Sequence, residues 1–353
     1  MQNKKDLIVS ISVDVATTIL SAMQLMNKLG RKLLIVLEDN KFKSLVSIGD
    51  IQRAILANVP LSNSILSIVR CNVKVANIKE NREEIRKQML ARRNEFMPII
   101  DDNNNIVDVV FWEDIIEEDG VVCLESFDLP VVIMAGGFGS RLKPLTNVLP
   151  KPLIPIGEKT LIEDIMDKFV ACGSNRFYLS VNYKADFIRN YFAQQTNLPY
   201  NLSYFEEDKP LGTAGSLSLL KDKIHTTFFV SNCDILIDED YSQILKYHRE
   251  NQNEITLVVA VKTFSIPYGV VNTKEDGLME SLSEKPTLTF KINTGMYILE
   301  PHLLNEIPED TFFHITHLME QVVARGGKVG CFPITENSWT DIGDWKEYMK
   351  FLK

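Results

Sequence analysis

A short apolar run, Val131-Val132-Ile133-Met134, passes directly into Ala135-Gly136-Gly137-Phe138-Gly139-Ser140-Arg141-Leu142. Glycines after a strand let the backbone approach a ligand closely, and the N–H groups of such a turn cradle phosphate oxygens. Two familiar phosphate loops are excluded. A dinucleotide fingerprint needs G-x-G-x-x-G, whereas Gly137-x-Gly139 continues into Arg141 and Leu142. A P-loop needs a terminal Gly-Lys-Ser/Thr, which is absent. Farther along, Phe228-Phe229-Val230-Ser231-Asn232-Cys233-Asp234 ends an apolar run on a carboxylate. Open α/β sheets bind ligands beyond the carboxyl ends of their strands, so loop and acid are the kind of groups that meet at one site.

The elements that must hold these groups are legible in outline. From residue 131 onward, β-branched runs alternate with amphipathic stretches. Strands are predicted at Val131–Met134 and near Phe177 to Val181, Thr227 to Val230 and Ile255 to Val259. Thr160-Leu161-Ile162-Glu163 reads as a capping box opening a helix. Such alternation predicts an α/β domain, Rossmann-like, with a mixed, mainly parallel sheet.

The glycine segment continues through Lys143-Pro144-Leu145-Thr146 to Pro150-Lys151-Pro152-Leu153. The whole stretch resembles the G-G-x-G-x-R-L-x-P-L-T and P-K-P-L signature of sugar-1-phosphate nucleotidyltransferases, over residues 131 to 353. The resemblance implies that Ala135, Gly136, Gly137 and Gly139 wrap a nucleoside triphosphate, with Arg141 and Lys151 on its phosphates. Two fixed cations would stabilise charge building on a pyrophosphate leaving group. It also implies that Asp234 binds metal together with Asp341 of Trp339-Thr340-Asp341-Ile342-Gly343-Asp344, which resembles the family's W-x-D-x-G element. Two acids with phosphate oxygens and waters suit Mg²⁺. Either acid alone could equally cap a helix.

Glu206-Glu207-Asp208-Lys209-Pro210-Leu211-Gly212-Thr213-Ala214-Gly215 resembles the family's base-recognition segment, placing Glu207, Gly212 and Thr213 at the nucleotide. Guanine offers two adjacent donors that one carboxylate accepts, whereas uracil and thymine better suit an amide, so the partner expected is GTP. Sugar-side candidates by the same resemblance are Tyr268 and Gly269 of Pro267-Tyr268-Gly269, Glu284 and Lys285 of Glu284-Lys285-Pro286, Asn293 of Asn293-Thr294-Gly295, and Asn182. Lys285 is assigned to the sugar phosphate, making Arg141, Lys151, Asp234 and Lys285 the catalytic set. His314 and His317 stand three apart without a third ligand motif, which argues against zinc.

A weak repeat fills residues 1 to 120. Helix, strand (Leu33 to Leu37), polar turn, strand (Ser44 to Ile48) and Gly49-Asp50-Ile51 recur as helix, strand (Phe96 to Ile100), turn, strand (Ile106 to Phe111) and Glu113-Asp114-Ile115. The order resembles a tandem pair of CBS motifs, a regulatory module. The family's Ser/Thr-x-x-Asp nucleotide element is present as Ser47-Ile48-Gly49-Asp50 and lacks its hydroxyl in Phe111-Trp112-Glu113-Asp114. Ser47 and Asp50 are therefore the candidate ligands for an adenine nucleotide, and a plain helix cap explains Asp50 equally well. The domain plan is 1–120 for the CBS pair, 121–130 for an acidic linker ending in Pro130, and 131–353 for the transferase. The pairing of the two modules resembles the glucosamine-1-phosphate guanylyltransferases of legionaminic acid pathways, with mannose-1-phosphate as the nearest competing substrate. CBS pairs often associate, which suggests a homo-oligomer. The alternative class is a nucleotide sensor that binds without turnover.

The chain has 353 residues and a formal net charge of -9, which disfavours nucleic-acid and anionic-membrane partners. No apolar run reaches the roughly 18 residues of a membrane span. The N-terminus lacks a signal peptide's long apolar region and cleavage site. Five cysteines without a CxxC pair read as reduced thiols. A cytoplasmic protein is expected.

Overall fold

The computed structural model describes residues 4–70, 73–81, 84–85, 88–89, 96–111 and 125–351, and divides into two units, Met1–Gly120 and Val121–Lys353.

In the first unit, β1 (Ser12–Asp14) pairs parallel with β2 (Leu33–Glu38), which pairs antiparallel with β3 (Lys41–Ser47). Asp39 and Asn40 join β2 to β3, both with positive φ, as a two-residue hairpin on right-twisted strands requires. Helix Ile19–Leu29 starts at Thr18, whose hydroxyl accepts from Ser21 N–H, and stops at left-handed Gly30. The pattern repeats: β4 (Ala76–Asn77) runs parallel to β5 (Phe96–Ile100), and β5 antiparallel to β6 (Ile106–Phe111). The helix expected at Glu113-Asp114-Ile115, with Asp114 itself, lies outside the described residues.

The second unit is built on β7 (Val131–Met134), β8 (Pro155–Ile156), β9 (Lys159–Thr160), β10 (Arg176–Val181), β11 (Asn201–Glu206), β12 (Phe228–Asn232), β13 (Ile235–Ile237), β14 (Ile255–Ser265), β15 (Val270–Thr273), β16 (Met279–Ser283), β17 (Thr287–Leu299), β18 (Val329–Thr335) and β19 (Trp339–Asp341). Seven of them form one sheet in the order β11-β10-β7-β12-β17-β14-β18, in which only β17 runs against the rest. The fold is thus mixed α/β with a mainly parallel sheet, as the alternation predicts. Both faces are covered, so strand side chains bury on either side. Val131, Ile133, Phe177 and Phe229 enter one core, while Val132, Phe228 and Val230 enter the other. The capping box is present: Thr160 N–H and hydroxyl both donate to Glu163, and helix Leu161–Ala171 follows.

Residues 125–130, expected in the linker, pack into this unit. Phe127 stacks on Phe229 at 5.3 Å between centroids, and Ser174 Oγ accepts from Leu129 N–H. Cys172 is disulfide-bonded, which corrects the reading of every cysteine as a free thiol; Cys233 and Cys331 are free. Spacing along a chain carries no information about a partner that folding brings in. Among the described residues no helix is long and apolar enough to cross a membrane.

Candidate active site

β7, with β10 on one side and β12 on the other, is where the connections change direction, the crevice that open α/β sheets use for ligands. Each neighbouring strand ends in a group that lines one cleft of about 360 Å³. These are Gly136 after β7, Asn182 after β10, Glu207 after β11 and Asp234 after β12.

The glycine loop has steric reasons for its composition. Gly139 has φ +61°, and a Cβ there would lie 2.7 Å from Thr146 Cγ2, whose hydroxyl donates to Gly139 O. A Cβ on Gly136 would lie 3.1 Å from Glu207 Oε1 and 3.2 Å from Asn182 Cβ. Gly137 has open space around it. Ala135 is buried behind the loop and its N–H donates to Ser180 O, so it anchors the loop rather than lining the cleft.

Lys151 begins a 3₁₀ turn fixed by Pro150 and Pro152 and is only 7% exposed. Its ammonium is ion-paired with Asp234. The ladder of β13 and β19 sets Ile235 opposite Asp341, and Ile342 N–H donates to Asp234 O, so the two acids converge. Burial, then the charge of Asp234, pushes the Asp341 carboxyl above its usual range, opposed by Lys151 and Arg141. Gly343 makes room for this group: its Cβ would lie 2.6 Å from Asp341 Oδ1 and 3.0 Å from Arg141 Nη2. Arg141, Lys151, Asp234 and Asp341 thus form one cluster at the end of β12. Its donor set, two carboxylates from backbone-fixed positions with two cations beside them, fits Mg²⁺. Elsewhere Glu254, His302 and Glu306 offer ligand atoms within 4.8 Å of one another, but Arg325 already bonds both glutamates. His314 and His317 belong to no metal-ligand group among the described residues.

Glu207 is held at its backbone by Asn182 Nδ2, which donates to Glu207 O at 2.8 Å. Its Oε2 accepts from Leu211 N–H at 2.7 Å, while Oε1 faces Gly136. Burial raises its carboxyl above the usual range, opposed by the Leu211 N–H. Asn182 therefore lines the same cleft as the glycine loop and Glu207. Gly212, at φ +81°, lies so close to Phe313 that a Cβ would be 2.7 Å from its carbonyl oxygen. Thr213 Oγ1 accepts from Ile315 N–H, capping helix Ile315–Ala324 from another segment.

Four of the sugar-side candidates, Tyr268, Gly269, Glu284 and Lys285, flank the β15–β16 hairpin, where Val270 pairs with Ser283, and Asn293 lies in β17. A Cβ on Gly269 would lie 3.0 Å from Glu284 Oε2; Tyr268, Glu284 and Lys285 are exposed, with Lys285 at φ +45°. Asn293 bonds Tyr297 and Gly295. None of these five lines the cleft. The cleft also includes Phe138, Ser140, Pro210, Asn232, Cys233, Phe312 and Gly343. Of these, Gly343 carried a signal in the Asp-x-Gly spacing; Phe312 carried none.

In the first unit Asp50 is saturated. It accepts from Ser47 N–H at 2.9 Å, Ser47 Oγ at 2.6 Å and Arg70 Nε at 2.8 Å, and is ion-paired with Arg53. Burial pulls its carboxyl up, but the Ser47 hydrogen bonds and Arg70 outweigh it and hold it below the usual range. Ser47 and Asp50 make a complete capping box, so the carboxylate is committed within the protein.

Residues 130–353 match the family model described as nucleotidyl transferase, and residues 5–57 match the CBS domain. The chain is 33% identical over 228 residues to the mannose-1-phosphate guanylyltransferase catalytic subunit beta of Dictyostelium discoideum, covering 63% of each chain. It is 33% identical over 230 residues to a mannose-1-phosphate guanyltransferase of Schizosaccharomyces pombe, covering 63% of this chain and 62% of that one. It thus spans under two thirds of the length of these curated relatives. A Bacillus anthracis chain described as a glucose-1-phosphate thymidylyltransferase shares the fold at TM-score 0.50 and 21% identity, covering 63% of this chain and 93% of that one.

Proposed function

Since the chain belongs over residues 130–353 to the nucleotidyl transferase family, we propose that it transfers GMP from GTP to a sugar-1-phosphate, releasing pyrophosphate. The observation that carries this reading is the cluster of Arg141, Lys151, Asp234 and Asp341 beside the glycine loop. The sugar phosphate is already an anion, so the chain needs to supply no side-chain nucleophile. Gly136, Gly137 and Gly139 admit the triphosphate, and Arg141 and Lys151 neutralise charge that develops on the leaving pyrophosphate. Mg²⁺ held by Asp234 and Asp341 would supply Lewis-acid polarisation of the phosphates when bound. Lys285 and Glu284, on their own hairpin, are proposed to bring the acceptor's phosphate and a hydroxyl to the cleft. Glu207 supports guanine: Oε1 is free to accept one base N–H, and Oε2 keeps a second lone pair beyond its Leu211 bond.

For the sugar we propose glucosamine-1-phosphate, on the pairing of a CBS module with this transferase. The second reading, mannose-1-phosphate, is supported by the names of the relatives. The paired pattern of β1-β2-β3 and β4-β5-β6 supports a second CBS motif after the matched one, and with it self-association. An adenine nucleotide at Ser47 and Asp50 would have to displace Arg53 or Arg70 from the carboxylate. The test is pyrophosphate release with Mg²⁺ across four NTPs and the 1-phosphates of glucosamine, mannose, glucose and N-acetylglucosamine. A dominant GTP signal is expected, with glucosamine-1-phosphate as acceptor. A dominant UTP or dTTP signal sinks the guanine reading, and silence with and without AMP or ATP favours a non-catalytic sensor.

A further inference from the structure

Two phenyl rings stand largely exposed on the walls of this polar cleft: Phe138, 57% exposed, and Phe312, 58% exposed. Phe138 has a neighbour in Tyr183, at 5.2 Å between ring centroids. The position of Phe312 is set by an unusual amount of local bracing. The carbonyl of the next residue, Phe313, accepts from the N–H groups of both Ala214 and Gly215, and Phe313 N–H donates to Leu211 O. Gly212 and Gly215 permit this contact, since a Cβ on Gly215 would lie 2.6 Å from Thr311 O. On the other side of Phe312, His314 meets its ring edge-on at 4.7 Å and is itself within 3.3 Å of Thr213 Oγ1. The segment carrying Phe312 is therefore locked backbone-to-backbone onto the Leu211–Gly215 loop, which begins four residues after Glu207.

A ring fixed in this way, with one edge-on contact to His314 and more than half its surface exposed in a cleft of polar and backbone groups, gains little from packing within the protein. It gains from a flat partner, because a base laid against it removes the two facing ring surfaces, one from each partner, from water and adds stacking. We propose that Phe312 is a nucleobase-stacking residue, so that the face of the base rests on Phe312 while its edge is read at Glu207. This rests on the nucleotidyl-transfer reading for the identity of the ligand, but the two fail in different ways. Stacking is tolerant of base identity, since every base has a π-face. Phe312 then supplies affinity for any nucleotide, and choice among bases stays with Glu207. Preorganisation by His314 and the loop means that little ordering is needed when the base arrives.

The experiment uses the full chain. Phe312→Ala should raise the KM for GTP roughly 5- to 150-fold, the range that loss of one base–aromatic stack spans. The KM for the sugar-1-phosphate should stay within about two-fold, and the rank order of NTPs should be unchanged. Phe312→Trp should restore the KM and give a reporter: its added emission, relative to wild type, should be quenched saturably by GTP without the sugar substrate. ATP, CTP, UTP and dTTP are titrated in the same way. Quenching led by another NTP would leave Phe312 in place and sink the guanine reading. A Phe312→Ala enzyme with unchanged nucleotide KM, a loss confined to the sugar-1-phosphate KM, or a tryptophan blind to every nucleotide would overturn the proposal.

Discussion

Lys151 offers the sharpest test of how this site is held together. Its side chain is 8% exposed and that of its partner Asp234 is 18% exposed, so the pair is largely out of water. Asp341 lies close enough to Asp234 for the two charges to repel. Removing the lysine by Lys151→Met keeps most of the side-chain volume and leaves two neighbouring carboxylates, with Arg141 still acting on Asp341. Deleting one partner of a buried pair costs about 3–5 kcal/mol, most of it the cost of the charge left behind. The same change should lower turnover by roughly 10²–10³, the typical loss for one preorganised group at developing charge. The assay is urea unfolding followed by tryptophan emission, in a Trp112→Phe background that leaves Trp339 and Trp345 in the second unit. Lys151→Met/Asp234→Asn should recover more than half of the lost stability while remaining inactive, since no uncompensated charge is left at that position. Added Mg²⁺ should stabilise Lys151→Met more than wild type, because it meets two acids with no resident ammonium. A destabilisation below about 1 kcal/mol, or no recovery in the double variant, would refute the buried-pair argument.

Glu207→Gln should shift preference from GTP towards UTP or dTTP, read from the kcat/KM ratio. Because burial raises the Glu207 carboxyl, its charged form is disfavoured in the folded chain. The sign is then fixed: the variant should be more stable than wild type at pH 7, and the gain should vanish as pH falls below about 4, where the unfolded carboxyl is also protonated. Gly212→Ala forces an L-residue into φ +81° against Phe313 O, so it should cost at least about 1–2 kcal/mol and weaken nucleotide binding together. Asp50→Ala removes a cap and two arginine pairs, and should lower the stability of the first unit by about 1–2 kcal/mol while leaving transferase kinetics at saturating substrate unchanged. Because the Asp50 carboxyl is depressed, that contribution should persist above about pH 4 and fade as the pH drops through its folded value.

What was legible in the sequence is what depends on local chemistry. Gly136 answers to Asn182 and Glu207 and was legible only through the motif, whereas Gly139 is dictated by its positive φ and by Thr146 in the same segment, a local constraint. The capping box at Thr160, the hairpin at Asp39-Asn40 and the carboxylate at the end of β12 are local in the same way. Features that depend on partners far along the chain were not legible. Arg70, 20 residues from Asp50, bonds its carboxylate. Thr213 lines the cleft, and its hydroxyl also caps a helix that begins 102 residues later. Phe312 has no motif because its role comes from a backbone clasp on Leu211, 102 residues earlier for the bonded Phe313.

The same clasp bears on how the site divides its work. The end of β12 gathers charge: two acids and two cations whose mutual fields fix them before any ligand arrives. The Glu207 to Gly215 segment gathers shape, through a half-buried carboxylate, two glycines pressed against Phe313 and a ring held at the rim. In the proposed reaction charge would recognise a triphosphate on any base, and shape would recognise a base under any phosphate. The sugar-side hairpin belongs to neither group and shares no lining residue with them. Variants at Lys151 should therefore change turnover across all nucleotides, those at Glu207 should change which nucleotide is used, and those at Glu284 or Lys285 should act on the acceptor alone.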